Sequence, residues 1–141
     1  MISTCNIYNH NPIISVSENK MTFTICNSSR VGVNKVTVDG CYMSSSSKKC
    51  DFLFEIISSE DEVSKVYYVE LKGRNIEHAI EQLISTMSFC KTEHRGIYKE
   101  CHIVCSRVPK AGPESQIFKS KFLKATSVQL FINTRIHTVN V

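Results

Sequence analysis

The run Tyr67-Tyr68-Val69-Glu70-Leu71-Lys72-Gly73 constrains this chain more than any other. Its aromatic and β-branched residues favour an extended backbone, and in a strand successive side chains point to opposite faces. Glu70 and Lys72 therefore share one side and Val69 and Leu71 the other, so one face is expected to do chemistry while the other packs against a core. Upstream, Lys48-Lys49-Cys50-Asp51-Phe52-Leu53-Phe54 carries a lone Asp51 in an otherwise apolar strand. Carboxylates on neighbouring strands can meet at one point, because adjacent strands lie only about 5 Å apart. Such a pair beside a lysine suits a hard divalent cation and the hydrolysis of a phosphodiester.

Around this pair the chain reads as strands followed by one secure helix. Val31 to Val38 alternates apolar with polar and ends at the turn dipeptide Asp39-Gly40, and Cys50 to Ile57 returns as an apolar strand, so the two form a hairpin with Ser44 to Ser47 as its tip. A third strand covers Val66 to Lys72. Gly73-Arg74-Asn75 breaks it, and Asn75 is placed to cap a helix in which Ile76, Ile80, Leu83 and Met87 recur at steps of four, three and four. Cys101 to Ser106 reads as a short buried strand that Pro109 and Gly112-Pro113 end. Glu114 to Lys124 forms a short basic amphipathic helix, and Ser127 to Val141 closes a sheet edge as one β-rich stretch. Met21 to Ile25 fits either a strand or a short helix. With no internal repeat or linker, residues 1–141 point to one domain.

Charge sharpens the functional expectation. Residues 1–90 hold 8 Lys and Arg against 10 Asp and Glu, whereas residues 91–141 hold 9 against 3. An acidic centre beside a basic flank fits an enzyme acting on a polyanion, with a solvated basic surface as the alternative. The seven cysteines are odd in number and contain no Cys-x-x-Cys pair, so reduced thiols are expected rather than a disulfide framework or a zinc site. Met1 to Asn6 lacks the order of a secretory signal, and no apolar run approaches a membrane span, which points to a soluble, cytoplasmic protein with no membrane partner. Asp39, before Gly40, reads as a turn residue. Glu55, on the face shared with Asp51, is a peripheral ligand or a strand-end charge, and His10, His78, His94, His102 and His137 have no ligand spacing. No nucleophile elbow is present.

The order strand, strand with Asp51, strand with Glu70-Leu71-Lys72, helix, strand resembles the PD-(D/E)xK nuclease superfamily over roughly residues 33–110. The resemblance implies an α/β (α+β) restriction-endonuclease-like fold, a mixed central β-sheet flanked by helices. It further implies a Mg²⁺ ion, replaceable by Mn²⁺, held by Asp51, Glu70 and the backbone carbonyl of Leu71, with Lys72 orienting or activating water. Gln82 matches the family's helix glutamine, which holds the lysine or contacts the substrate backbone. Glu18 is the only early candidate for the additional acid many members carry, and the family's proline before the first acid is replaced by Cys50. The expected activity is a metal-dependent endonuclease, DNA favoured as substrate, in a defence, mobile-element or DNA-repair system. Arg107, Lys110, Lys119, Lys121 and Lys124 are the expected phosphate contacts, and a homodimer or larger complex the expected assembly. The alternatives are a non-catalytic nucleic-acid-binding module and a partner-dependent accessory subunit.

Overall fold

The computed structural model describes residues 5–43, 47–107 and 113–141, so Lys110, Pro109, Gly112 and most of the Ser44–Ser47 tip lie outside the described residues. Within them the chain forms nine strands and two helices. Six strands, β1 (Asn6–Asn9), β4 (Gly32–Thr37), β5 (Phe52–Ile57), β6 (Val63–Lys72), β7 (Tyr98–Cys105) and β8 (Gln129–Thr134), make a central sheet in the order β1-β4-β5-β6-β7-β8. Pairing is antiparallel from β1 to β6 and parallel from β6 to β8. A second sheet holds β2 (Ile13–Glu18), β3 (Met21–Cys26) and β9 (Ile136–Asn140), with β2 antiparallel and β9 parallel to β3. The chain is thus mixed α+β.

The β4–β5 hairpin forms as the Asp39-Gly40 signal predicts, Gly40 taking a left-handed φ of 81°. Helix α1 (Ile76–Phe89) starts at Asn75, whose side chain accepts a hydrogen bond from the His78 amide at 3.0 Å. That cap satisfies an otherwise orphaned amide and contributes about 1 kcal/mol. Ile76, Ala79 and Leu83 bury the apolar stripe of α1 on the central sheet, joined by Phe122 from α2 (Pro113–Thr126).

Both helices cover the same face. Val36, Leu53, Val66, Tyr68, Cys101, Ile103 and Leu130 meet them in one core, whereas Val33, Phe54, Ile56, Tyr67, Val69, Leu71 and Val104 face the second sheet through Val16, Met21, Phe23 and Ile25. The mixed central sheet is thus flanked by helices on one face, and a three-stranded sheet occupies the other. A strand buried on both sides reads as a continuous apolar run, which is why Tyr67 to Leu71 interrupts its hydrophobicity only at Glu70. The expected division into a chemical and a packing face fails along most of β6. Val66 and Tyr68 share the face of Glu70 and are fully buried beneath the helices, whereas Lys72 at the C-terminal end of the strand is partly exposed.

Two further expectations change. The C-terminal stretch is two strands rather than one, because Arg135 takes a left-handed φ of 63° and passes the chain from the central sheet into the second. Cys5 and Cys41 form a disulfide, with 5.7 Å between their Cα atoms. Spacing concealed this pair, since it arises only when β1 pairs with β4 and the Asp39–Met43 turn folds back beside Cys5. Cys26, Cys50, Cys90, Cys101 and Cys105 remain thiols, all but Cys26 buried. Among the described residues no helix is long and apolar enough to cross a membrane.

Candidate active site

Register explains how the two acids meet. Phe52 pairs with Val69 as the last rung of the antiparallel β5–β6 ladder, so Asp51 arrives opposite Glu70 just beyond it. The two residues then exchange backbone contacts through their side chains. Glu70 Oε1 accepts the Asp51 amide at 3.0 Å, and Asp51 Oδ2 accepts the Leu71 amide at 2.9 Å. The Asp51 carbonyl in turn accepts from the Val38 amide at 3.0 Å, tying the first acid to the end of β4.

Helix α1 holds the segment leading into Asp51. Glu81 pairs with Lys48, Gln82 Nε2 donates to the Lys49 carbonyl at 3.0 Å, and Thr86 Oγ1 accepts the Cys50 amide at 2.8 Å. One helix face thereby grips residues 48, 49 and 50 in succession and delivers Asp51 to the sheet. Gln82 acts through this grip, and its Oε1 is buried without a hydrogen-bond partner. Thr86 was not anticipated, because a threonine in a helix gives no sign of which carbonyl or amide it will meet.

Glu70 is 2% exposed. Burial, then the neighbouring Asp51 charge, pushes its carboxyl up to about 8, against the opposing pull of Lys72. Burial also raises Asp51, to about 6, with Glu18 and Asp39 adding repulsion and the Leu71 amide opposing it. Burial and the neighbouring carboxyl thus both favour the protonated form of Glu70, the more deeply buried of the two. Glu18, at the end of β2, thus enters as a nearby negative charge rather than a bonded partner. Lys72 ends β6 half-buried, on the same face as Glu70.

Comparison adds no neighbour. No known family model, curated protein or solved structure matches this chain. The site's chemistry must be read from its own donors. Among the described residues no three His, Cys, Asp or Glu side chains converge as a cation cage. Two carboxyls beside a backbone carbonyl are an all-oxygen donor set, which suits Mg²⁺ and does not suit zinc held by nitrogen and sulfur ligands.

Of the expected phosphate contacts among the described residues, only Arg107 lies at this end of the sheet, just past β7. Lys119, Lys121 and Lys124 ride on α2, which runs from the end of β7 toward the start of β8 and so away from Asp51 and Glu70. A different group of cations, Lys20, Arg74 and Arg135, lines a cleft with Arg107. The visible hint was Arg74, two residues beyond Lys72, whereas Lys20 and Arg135 come from turns whose approach no local pattern announces.

Away from this end, Glu55 and His94 also depart from expectation. Both are fully buried, and Glu55 Oε2 meets His94 Nε2 at 2.6 Å while His94 Nδ1 meets the Tyr68 hydroxyl at 2.5 Å. Asn34 Nδ2 donates to Glu55 Oε1 at 2.9 Å. Glu55 is therefore neither a peripheral ligand nor a strand-end charge but the centre of a sealed polar network.

Proposed function

We propose that this chain is a Mg²⁺-dependent nuclease with a restriction-endonuclease-like arrangement, hydrolysing phosphodiester bonds, with DNA the favoured substrate. The observation that carries the reading is the Asp51–Glu70 pair, two carboxyls from adjacent strands held together at the end of a ladder beside Lys72. A buried carboxyl beside a second, partly buried one is unfavourable unless something repays the desolvation and repulsion, and functional sites are where such perturbed acids cluster.

Asp51 and Glu70, with the Leu71 carbonyl, would hold Mg²⁺, or Mn²⁺ in its place. When bound, the ion supplies positive charge to a phosphoryl oxygen and makes a nearby water more acidic. The protein's own groups divide the remaining work. Glu70 would serve as a ligand in its carboxylate form, its proton passing to water. Lys72, on the same face, presents an ammonium to the charge that develops on the phosphoryl oxygens and orients the attacking water. The α1 grip on residues 48–50 keeps Asp51 from drifting, since small displacements of a catalytic group cost rate steeply. A protein of this size cuts both strands of a duplex as a dimer, in a larger complex or in two encounters.

The test is cleavage of labelled duplex, single-stranded, flap and four-way-junction DNA with and without Mg²⁺. Wild type should cut in metal only, and Asp51→Asn, Glu70→Gln and Lys72→Ala should each abolish cutting while retaining the fold by circular dichroism. Absence of metal-dependent cutting on every substrate, with binding intact, would assign the chain instead to the non-catalytic binding modules or to partner-dependent subunits.

A further inference from the structure

The C-terminal ends of the three parallel strands carry a cleft of about 500 Å³ lined by Asn19, Lys20, Met21, Arg74, Ser106, Arg107 and Arg135. Four of those seven residues are cations and none is acidic. Lys20, Arg74, Arg107 and Arg135 are all exposed, and none has a carboxylate within ion-pair distance among the described residues. Mutual repulsion of unpaired cations is a cost that a ligand of opposite charge would remove.

The cations are held by backbone, not by chance side-chain placement. The Arg135 amide donates to the Cys105 carbonyl at 2.8 Å, and its own carbonyl accepts from the Thr22 amide at 2.7 Å, bridging β7 to β3. The Ser106 amide donates to the Gly73 carbonyl at 3.1 Å, fixing Arg74 beside Arg107. Asn19, Lys20 and Arg135 all occupy left-handed backbone, with φ of 50°, 67° and 63°. Side chains rarely accept that conformation, and here it turns two of the four cations into one space. Ligands of open sheets with parallel strands gather at the carboxyl ends of those strands.

The same loops connect the cleft to the carboxyl pair. Arg74 lies two residues after Lys72, and Lys20 two residues after Glu18, whose charge already reaches Asp51. We infer that this cleft is the phosphate track of the site, where the phosphodiester backbone flanking the cleaved bond rests on Lys20, Arg74, Arg107 and Arg135 while α2 stays off the nucleic acid. The inference rests on the nuclease reading for its geometry of approach. Arginine suits the role, since its planar fork takes two phosphate oxygens at once.

The experiment is a binding titration of fluorescein-labelled duplex DNA, single-stranded DNA and single-stranded RNA in EDTA, repeated across a series of salt concentrations. Wild type is compared with Arg74→Gln/Arg107→Gln and with Lys121→Gln/Lys124→Gln on α2. A second cleft variant, Lys20→Asn/Arg135→Asn, uses a residue tolerant of left-handed backbone, so that lost binding is not lost folding. Each phosphate contact removed lowers the log–log salt slope by about 0.9 on duplex DNA and about 0.7 on single strands. Both cleft variants should therefore lose between one and two from the slope and about tenfold or more in affinity, while the α2 variant moves neither. Binding and slope unchanged in both cleft variants, or lost in the α2 variant instead, would overturn the inference. Cleft-dependent binding without metal-dependent cleavage would leave the phosphate track standing and remove the nuclease reading alone. The substrate bound most tightly distinguishes a duplex from a single strand and DNA from RNA.

Discussion

Replacing Glu70 by Gln should remove activity and stabilise the protein at alkaline pH. In the folded chain the Glu70 carboxyl is displaced from an ordinary 4.5 to about 8. Between those values the native protein keeps a proton that the unfolded chain releases, so the unfolded state binds fewer protons and stability falls as pH rises through the window. Stability is thus fully present below about 4.5 and lost by about 8. At about 1.4 kcal/mol for each tenfold change in proton affinity, the loss is on the order of 4–5 kcal/mol, comparable with the whole stability of a small domain. Asp51, raised from 3.8 to about 6, adds a smaller loss of the same sign at lower pH. A glutamine keeps the carbonyl oxygen that accepts the Asp51 amide and turns an N–H toward the Asp51 carboxylate, without any charge to desolvate. Urea unfolding in EDTA, followed by circular dichroism at about pH 5, 7 and 9, reads the difference. Wild type should weaken steadily across the series, whereas Glu70→Gln should stay nearly level above about pH 6 and exceed wild type by several kcal/mol at about pH 9. Mg²⁺ should restore wild type selectively, because a ligand that binds only the native state stabilises it by mass action. A wild-type stability that is constant or rising between about pH 5 and 9, or a variant no more stable than wild type at the upper end, would refute the reasoning.

Three other outcomes are expected. Gln82→Ala removes the hydrogen bond to the Lys49 carbonyl, and should cost about 1–3 kcal/mol in urea unfolding and lower kcat with little change in KM, because the segment leading into Asp51 loses an anchor rather than the substrate a contact. His94→Ala removes the Glu55–His94 contact from the core and should cost about 3–5 kcal/mol, whereas Lys48→Ala at the exposed pair Lys48–Glu81 should leave the urea midpoint nearly unchanged. Reduction of Cys5–Cys41, which closes a loop of sequence separation 36, should lower stability by about 2–4 kcal/mol and expose the β1 amides to hydrogen exchange; an unchanged urea midpoint in reductant would contradict this.

What could be read in the sequence was what neighbours decide. The β4–β5 hairpin followed from alternation into Asp39-Gly40, and α1 from Asn75 and a stripe at helical spacing. The opposition of Asp51 and Glu70 followed from their positions in consecutive strands. What could not be read depends on long-range pairing. β9 lies beside β3 across more than a hundred residues, and nothing local in Ile136 to Asn140 names Thr22 to Cys26 as its partner. Glu55 between Phe54 and Ile56 resembles a stray surface charge until His94 arrives from the loop after α1. The cationic cleft escaped for the same reason. Its members come from the β2–β3 turn, the end of β6, the end of β7 and the β8–β9 joint, and only the assembled sheets bring four separate turns to one place.

The left-handed joint at Arg135 has a practical consequence. By carrying the chain from one sheet to the other, it makes β9 the strap that holds the β2–β3 hairpin, and with it Glu18 and Lys20, against the site. Deleting Ile136 to Asn140 would release that strap. Loss of β9 should thus loosen the cationic cleft without touching a single carboxylate.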